Sequence, residues 1–218
     1  MATKRKTGQV LSLKGSVKMV SEFFEYSVNS ILYQRGIYPP EDFKMVKKYG
    51  LTLFTSADES LEAYIQSVMK QVQAWILAGK LDSLALILMT RETREVVERW
   101  QFDIEVEEPP EVGKENTGPD GAVKAAKPEK TAEQIQKDIQ DIMRQITSSV
   151  TFLPALQDKY VFTILTYAAK DTEVPKEWID SDPHMIIGNA EQVKLRSFST
   201  NRHKVKGLVA YRLGADML

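Results

Sequence analysis

The sequence predicts an α+β domain, and three patterns carry that prediction. Isoleucines at 135, 139, 142 and 146 recur at helical steps, and Glu98 to Val106 alternates apolar and polar residues with the period of a strand. Leu84 to Met89 is a short, unbroken apolar run of the kind shown by a central strand covered on both faces. Helices with one apolar stripe and strands of both kinds bury those faces against one another.

The helix that follows Thr131 is the most legible element. Thr131 with Gln134 has the form of a capping box, in which each side chain satisfies a backbone donor orphaned at the helix start. The four isoleucines fall on one narrow stripe at about 100° per residue, and burying each is worth roughly 1.5 to 3 kcal/mol before ordering entropy is subtracted. The same wheel turns Lys137, Gln140, Asp141, Arg144 and Ser148 outward. Pro154 biases Leu153 away from helical geometry, so the helix ends near Val150.

Earlier in the chain, Val20, Phe23, Phe24, Ser27, Val28, Ile31 and Leu32 follow helical spacing, which predicts a helix over Ser16 to Arg35 stopped by Gly36. Pro39 and Pro40 make a rigid turn, and Pro40-Glu41-Asp42 opens a short helix expected to carry Phe43 and Val46 inward. Leu51 to Thr55 reads as a short strand. Ser56 with Glu59 repeats the capping-box pattern ahead of Leu61, Ile65, Val68, Val72 and Trp75, so a second amphipathic helix runs to Gly79. After the apolar strand, a hairpin turn at Arg91 to Arg94 leads into Glu98 to Val106. There Trp100, Phe102, Ile104 and Val106 take the core face, and Arg99, Gln101, Asp103 and Glu105 take the wet one.

Glu107 to Lys130 carries four prolines, three glycines and many charges without a large apolar residue, and is expected to be mobile. Structureless stretches beyond about 12 to 15 residues are either functional or linkers. A single domain is favoured, because each half leaves faces that the other covers. Tyr160 to Tyr167 is rich in aromatic, β-branched and threonine residues and reads as a strand. Beyond it the tail offers an isolated Trp178 and two half-polar, edge-like strands, Val193 to Phe198 and His203 to Arg212.

Composition removes several classes of function. A formal net charge of −1 gives no global attraction to nucleic acid. The absence of cysteine excludes disulfide frameworks, thiolate zinc sites and cysteine nucleophiles. No window approaches the length of an apolar membrane span, and the basic amino terminus lacks the apolar run of a signal peptide. Lys4-Arg5-Lys6 reads as a solvated terminus. His184 and His203 are not spaced as a metal pair, and no phosphate-cradling loop or nucleophile elbow occurs. Asp103 and Glu105 share a strand face, so they are the one candidate acid and base pair, although alternation alone explains them. No cofactor is expected. Trp75 and Trp100 fall on apolar faces, where core packing is the ordinary reading. An exposed sheet edge capturing an extended peptide is the function these elements suit.

Several contiguous blocks carry a specific resemblance: EFFEYSVNSILYQRGIYP (Glu22 to Pro39), KKYGLTL (Lys47 to Leu53), ERWQFDIE (Glu98 to Glu105), RQITSSVTFLP (Arg144 to Pro154), and LRSFST, HKV and VAYR between Leu195 and Arg212. They resemble the HORMA-domain spindle-checkpoint proteins of the mitotic-arrest-deficient family, second-member branch, from Leu13 to Arg212. The loop from Glu107 to Lys130 is longer and richer in proline than that family leads one to expect, and Leu213 to Leu218 also departs from it.

The resemblance implies a HORMA fold of three main helices on a mostly antiparallel sheet, filling residues 1–218 as one domain. In it, residues 1–14 form a mobile amino-terminal segment, 107–130 a flexible loop and 171–218 a safety belt. It implies a non-enzymatic adaptor with open and closed folds, in which the belt relocates across the sheet and wraps a partner peptide. Tyr160, Phe162, Ile164, Tyr167, Val209 and Tyr211 are then the peptide-binding positions, and Leu13 and Trp75 belong to the conformational switch. Arg144, Gln145 and Phe152 form the surface on which an open copy docks on a closed one.

The implied partners are the coiled-coil kinetochore checkpoint protein and the WD-repeat activator of the anaphase-promoting complex, whose inhibition delays anaphase. A second copy of the chain and an AAA-type remodelling ATPase with its adaptor complete the set, with no nucleic acid and no membrane. The implied location is the nucleus, the kinetochore in mitosis, and also the cytoplasm. The alternatives are another HORMA adaptor, such as an accessory subunit of translesion polymerase zeta, or an enzyme using Asp103 and Glu105.

Overall fold

A computed structural model describes residues 11–107 and 129–213. Expectations for the first ten residues, for most of the loop after Glu107 and for the last five residues lie outside the described residues.

The first helix, α1 (Leu13–Gln34), begins three residues earlier than its apolar spacing suggests, because Ser12 caps it by accepting from the Gly15 N–H at 3.1 Å. Gly36 ends it in the left-handed region at φ +62°. One turn of 3₁₀ helix at Pro40–Asp42 then leads, not into further helix, but into strand β1 (Phe43–Lys48), which pairs antiparallel with β2 (Leu51–Ser56). The turn between them is Tyr49-Gly50, both at positive φ, the two-residue form that matches strand twist. Exposed lysines on β1 hide its alternation in the sequence. Helix α2 (Glu59–Leu77) is capped by Asp58, whose Oδ1 accepts from the Leu61 N–H at 2.7 Å, and not by Ser56. Ser56 closes β2 instead, its hydroxyl accepting from the Asp58 N–H.

Strands β3 (Leu81–Thr90) and β4 (Val96–Val106) form a hairpin, and helix α3 (Ala132–Ser148) follows with both bonds of the Thr131–Gln134 capping box in place. The chain closes with β5 (Tyr160–Ala168), β6 (Ala190–Ser199) and β7 (His203–Arg212). All five larger strands make one antiparallel sheet in the order β5-β3-β4-β7-β6. The half-polar β7 is therefore interior, paired on both sides, and only β6 of the C-terminal pair is an edge.

The helices cover one face, with α1 between α2 and α3. Phe23 of α1 meets Phe102 of β4 and Phe198 of β6 edge to face, at 5.5 and 4.9 Å between ring centres. The α3 isoleucine stripe is fully buried beside them. The opposite face carries a smaller cluster of Ala85, Ile87, Met89 and Val96, packed with Val161, Leu165, Tyr167 and Ile186. Leu84 to Met89 is thus covered on both sides, as an unbroken apolar run requires.

Candidate functional site

Among the described residues, strand β5 is paired on one side only, by β3, from Tyr160↔Thr90 to Ala168↔Leu81. Its other edge presents backbone donors and acceptors without a strand partner. The pleat divides its side chains. Phe162 and Ile164 face the helices, and Tyr38 and Tyr64 stand edge-on to Phe162 at 6.2 and 5.8 Å, forming an aromatic ledge along the edge. Burial pushes the Tyr64 phenol above its ordinary range. Val161, Leu165 and Tyr167 face the other way, into the smaller cluster.

The chain leaves β5 at one side of the sheet and re-enters it at β6, on the other side, so residues 169–189 cross it. Named contacts hold this crossing segment. The Lys80 ammonium bonds Asp171 at 2.5 Å and keeps its carboxyl below the usual range. Trp75 donates its indole N–H to the Glu173 carbonyl and meets Trp178 edge to face at 5.0 Å. Arg99, nearly buried, donates to the Tyr167 hydroxyl at 2.9 Å and to the Pro183 carbonyl at 3.4 Å. The segment keeps Ile179 and Ile187 more than four-fifths exposed.

The HORMA domain family model matches residues 16–203. The mitotic spindle checkpoint component mad2 of Schizosaccharomyces pombe is 48% identical over 202 residues, 93% of this chain and 94% of that protein. The chain belongs to the HORMA family, in the branch of the Mad2 spindle-checkpoint proteins. The human Mad2A checkpoint protein is 42% identical over 213 residues, covering 98% of both chains. A chain in a crystal structure of the mitotic checkpoint complex superposes with a TM-score of 0.78 at 47% identity, over 91% of this chain and 99% of that one. DNA polymerase zeta subunit 2 of Drosophila melanogaster matches only 89 residues, 41% of this chain and 44% of its own length, at 34% identity. The polymerase-adaptor alternative is accordingly not favoured over membership of the Mad2 branch.

In this HORMA domain the residues named from the sequence fall into separate places. Tyr160, Phe162, Ile164 and Tyr167 line β5. Val209 and Tyr211 do not join them: both are buried on β7, opposite Trp100 and Glu98, with β3 and β4 between them and β5. Leu13 is the first residue of α1 and about half exposed, and Trp75 is buried against Trp178. Arg144 projects into solvent 3.8 Å from Asp141. Gln145 is committed within the chain, accepting from the Arg196 N–H at 2.7 Å and donating to the Lys194 carbonyl at 3.5 Å. It grips β6 where the ladder shifts register between Lys194 and Ser197. Phe152 is exposed, 6.4 Å from the Tyr211 ring.

Asp103 accepts from the Gln101 amide, and exposed Glu105 is ion-paired to Lys206, which holds its carboxyl below the usual range. Neither stands in the apolar enclosure that tunes a general acid. Among the described residues, no cluster of three or more His, Cys, Asp or Glu could hold a metal, and no helix is long and apolar enough to cross a membrane.

His203 is the satisfied structural histidine that the sequence suggests, but its partners and the buried Arg35–Glu98 pair are not marked by local pattern. Arg35 and Glu98 form a pair in the core, and His203 sits fully buried beside Ser16 and Thr200. A signal existed for the last: alternation along β7 puts His203 on the face of Val205 and Val209.

Proposed function

We propose that the chain is a non-enzymatic spindle-checkpoint adaptor that captures an extended peptide by strand addition along the open edge of β5, with the C-terminal segment closing over it as a belt. Strand order is the observation that carries this reading. The C-terminal pair lies on the far side of the sheet, so β5 keeps one edge free and residues 169–189 pass across. Had β6 and β7 followed β5 on its own side, that edge would be filled. A peptide on it satisfies the free backbone groups, while alternate side chains meet the ledge of Tyr38, Tyr64 and Phe162. On this reading Tyr160, Phe162, Ile164 and Tyr167 touch the peptide, and Val209 and Tyr211 anchor the belt that retains it.

The same reading takes the fold described above as the closed form of one switching domain, residues 1–218, and pairing of the C-terminal strands at the β5 edge as the open one. Two packings of one sequence differ by only a few kcal/mol. Residues 1–14, with Leu13, and the 107–130 loop yield during conversion, and the 171–218 belt moves, released from Trp75. Arg144, Gln145 and Phe152 receive an open copy. The Mad2 relatives support a checkpoint role, and on this reading the partners are the coiled-coil kinetochore protein and the WD-repeat activator of the anaphase-promoting complex. An AAA-type ATPase with its adaptor reopens the belt, and the protein acts in the nucleus, at kinetochores and in the cytoplasm.

Removing the residues after Gly207 deletes half of β7 and tests the reading. Fluorescence anisotropy of a labelled peptide from the coiled-coil checkpoint protein is expected to show capture by the full chain and none by the truncated one. Unimpaired capture by the truncated chain overturns it.

A further inference from the structure

Away from the β5 edge, the first turn of α1 meets the turn between β6 and β7 through three buried polar side chains. Ser16 Oγ lies 2.5 Å from Thr200 Oγ1 and 2.6 Å from His203 Nδ1. Thr200 Oγ1 in turn accepts from the His203 backbone N–H at 3.0 Å and lies 3.1 Å from the His203 carbonyl. Two proton arrangements are self-consistent. Either Thr200 donates to Ser16 and Ser16 to Nδ1, or Nδ1–H donates to Ser16, Ser16 to Thr200, and Thr200 to the carbonyl. In both, Ser16 relays between α1 and the C-terminal hairpin.

None of the three is at the surface, so each depends on the other two for the bonds that water would otherwise supply. The two bonds to Ser16 join separate elements, whereas those between Thr200 and His203 lie within one turn. His203 stands opposite Val106 because β7 pairs with β4, and Ser16 reaches it only because α1 already turns at Leu13. Displacing the hairpin by the width of one strand, about 4.8 Å, breaks both bonds to Ser16, while the Thr200–His203 bonds travel with the turn. The neighbouring Glu107 N–H donates to the Arg202 carbonyl, and the Ser199 hydroxyl bonds the Glu107 carboxylate, so the hairpin turn is tied to β4 at the same point.

We propose that Ser16, Thr200 and His203 form a lock that sets the balance between the two packings, joining the amino-terminal turn to the C-terminal hairpin in the closed one only. This rests on the two-fold reading given under Proposed function. The three are positioning residues: they contact neither β5 nor its open edge, and act by holding α1 and β7 together.

The test is the ratio of the two species of the full chain, separated by native ion exchange and identified by two-dimensional NMR. Ser16→Ala leaves the buried His203 Nδ1 without a partner and Thr200 bonded only within its own turn, and the closed-to-open ratio is expected to fall about tenfold; Thr200→Val removes the second partner of Ser16 and is expected to lower the ratio in the same direction. The two substitutions together are expected to lower it little further, because one lock breaks once. Thr200→Ser keeps the hydroxyl and the wild-type ratio. General destabilisation depletes both folded species alike, so the ratio reads the lock itself. Two wild-type species whose ratio neither Ser16→Ala nor Thr200→Val changes overturn the lock and leave the two-fold reading standing. A single wild-type species, with and without the checkpoint peptide, overturns both.

Discussion

Arg35 donates from Nε to Glu98 Oε1 at 2.8 Å, in a site where both side chains are at least 97% buried. The second guanidinium nitrogen bonds the Pro154 carbonyl at 2.5 Å, and the Trp100 indole donates to Glu98 Oε2 at 3.1 Å. One ion pair therefore ties the end of α1, strand β4 and the link into β5. Burial pushes the Glu98 carboxyl up, and Arg35 draws it back. Removing one partner strands a charge, so Arg35→Met is expected to cost about 3 to 5 kcal/mol in urea denaturation. Arg35→Met with Glu98→Gln removes both charges and recovers most of that loss; a double variant as unstable as the single one would contradict the pairing.

The α3 stripe gives a second stability prediction. Ile142 is fully buried, so Ile142→Ala leaves a cavity and is expected to cost about 2 to 5 kcal/mol, read from the same denaturation curves.

What the sequence made legible follows from what each pattern depends on. The α3 stripe and its capping box rest on neighbours in the chain, so local spacing sufficed. The β4 alternation holds for Trp100, Phe102 and Ile104, but Val106 at the strand end is exposed and Arg99 is buried beneath the crossing segment. Strand β1 was hidden because its lysines break the alternation, and Asp58 took the cap assigned to Ser56 because two acceptors stood within one turn. Arg35–Glu98 and Ser16–His203 were illegible for another reason: their partners lie 63 and 187 residues apart, and only the closed sheet brings them together. The position of β7 between β4 and β6 is likewise a pairing choice, which its own composition does not encode.

His203 gives the fold a pH dependence. Burial lowers its pKa below the ordinary imidazole value, while the Glu107 carboxylate opposes the shift. A base depressed in the folded state binds more protons when unfolded, so its contribution is fully present above about pH 6.5. That contribution is lost as pH falls from there through the lower folded value. Stability measured between pH 7.5 and 5 is expected to decline, and His203→Asn to flatten the His-dependent part; an identical slope in that variant would assign it to other groups.

Arg144 and Gln145 are adjacent but engaged differently, and should separate in solution. Arg144 points outward, so Arg144→Glu is expected to abolish self-association on a sizing column and leave peptide capture intact. Gln145→Ala also releases β6, and is expected to cost about 1 kcal/mol of stability besides. Dimers retained by Arg144→Glu would remove Arg144 from the interface.

Strand addition at β5 is tested most directly by amide hydrogen exchange along Tyr160–Ala168, with and without the checkpoint peptide. The β5 amides that bond β3 should be protected in both samples. The alternate amides, on the open edge, should exchange quickly in the free chain and become protected when the peptide binds. Saturating peptide that leaves those edge amides exchanging at their free rate, with protection arising elsewhere, would contradict capture at β5.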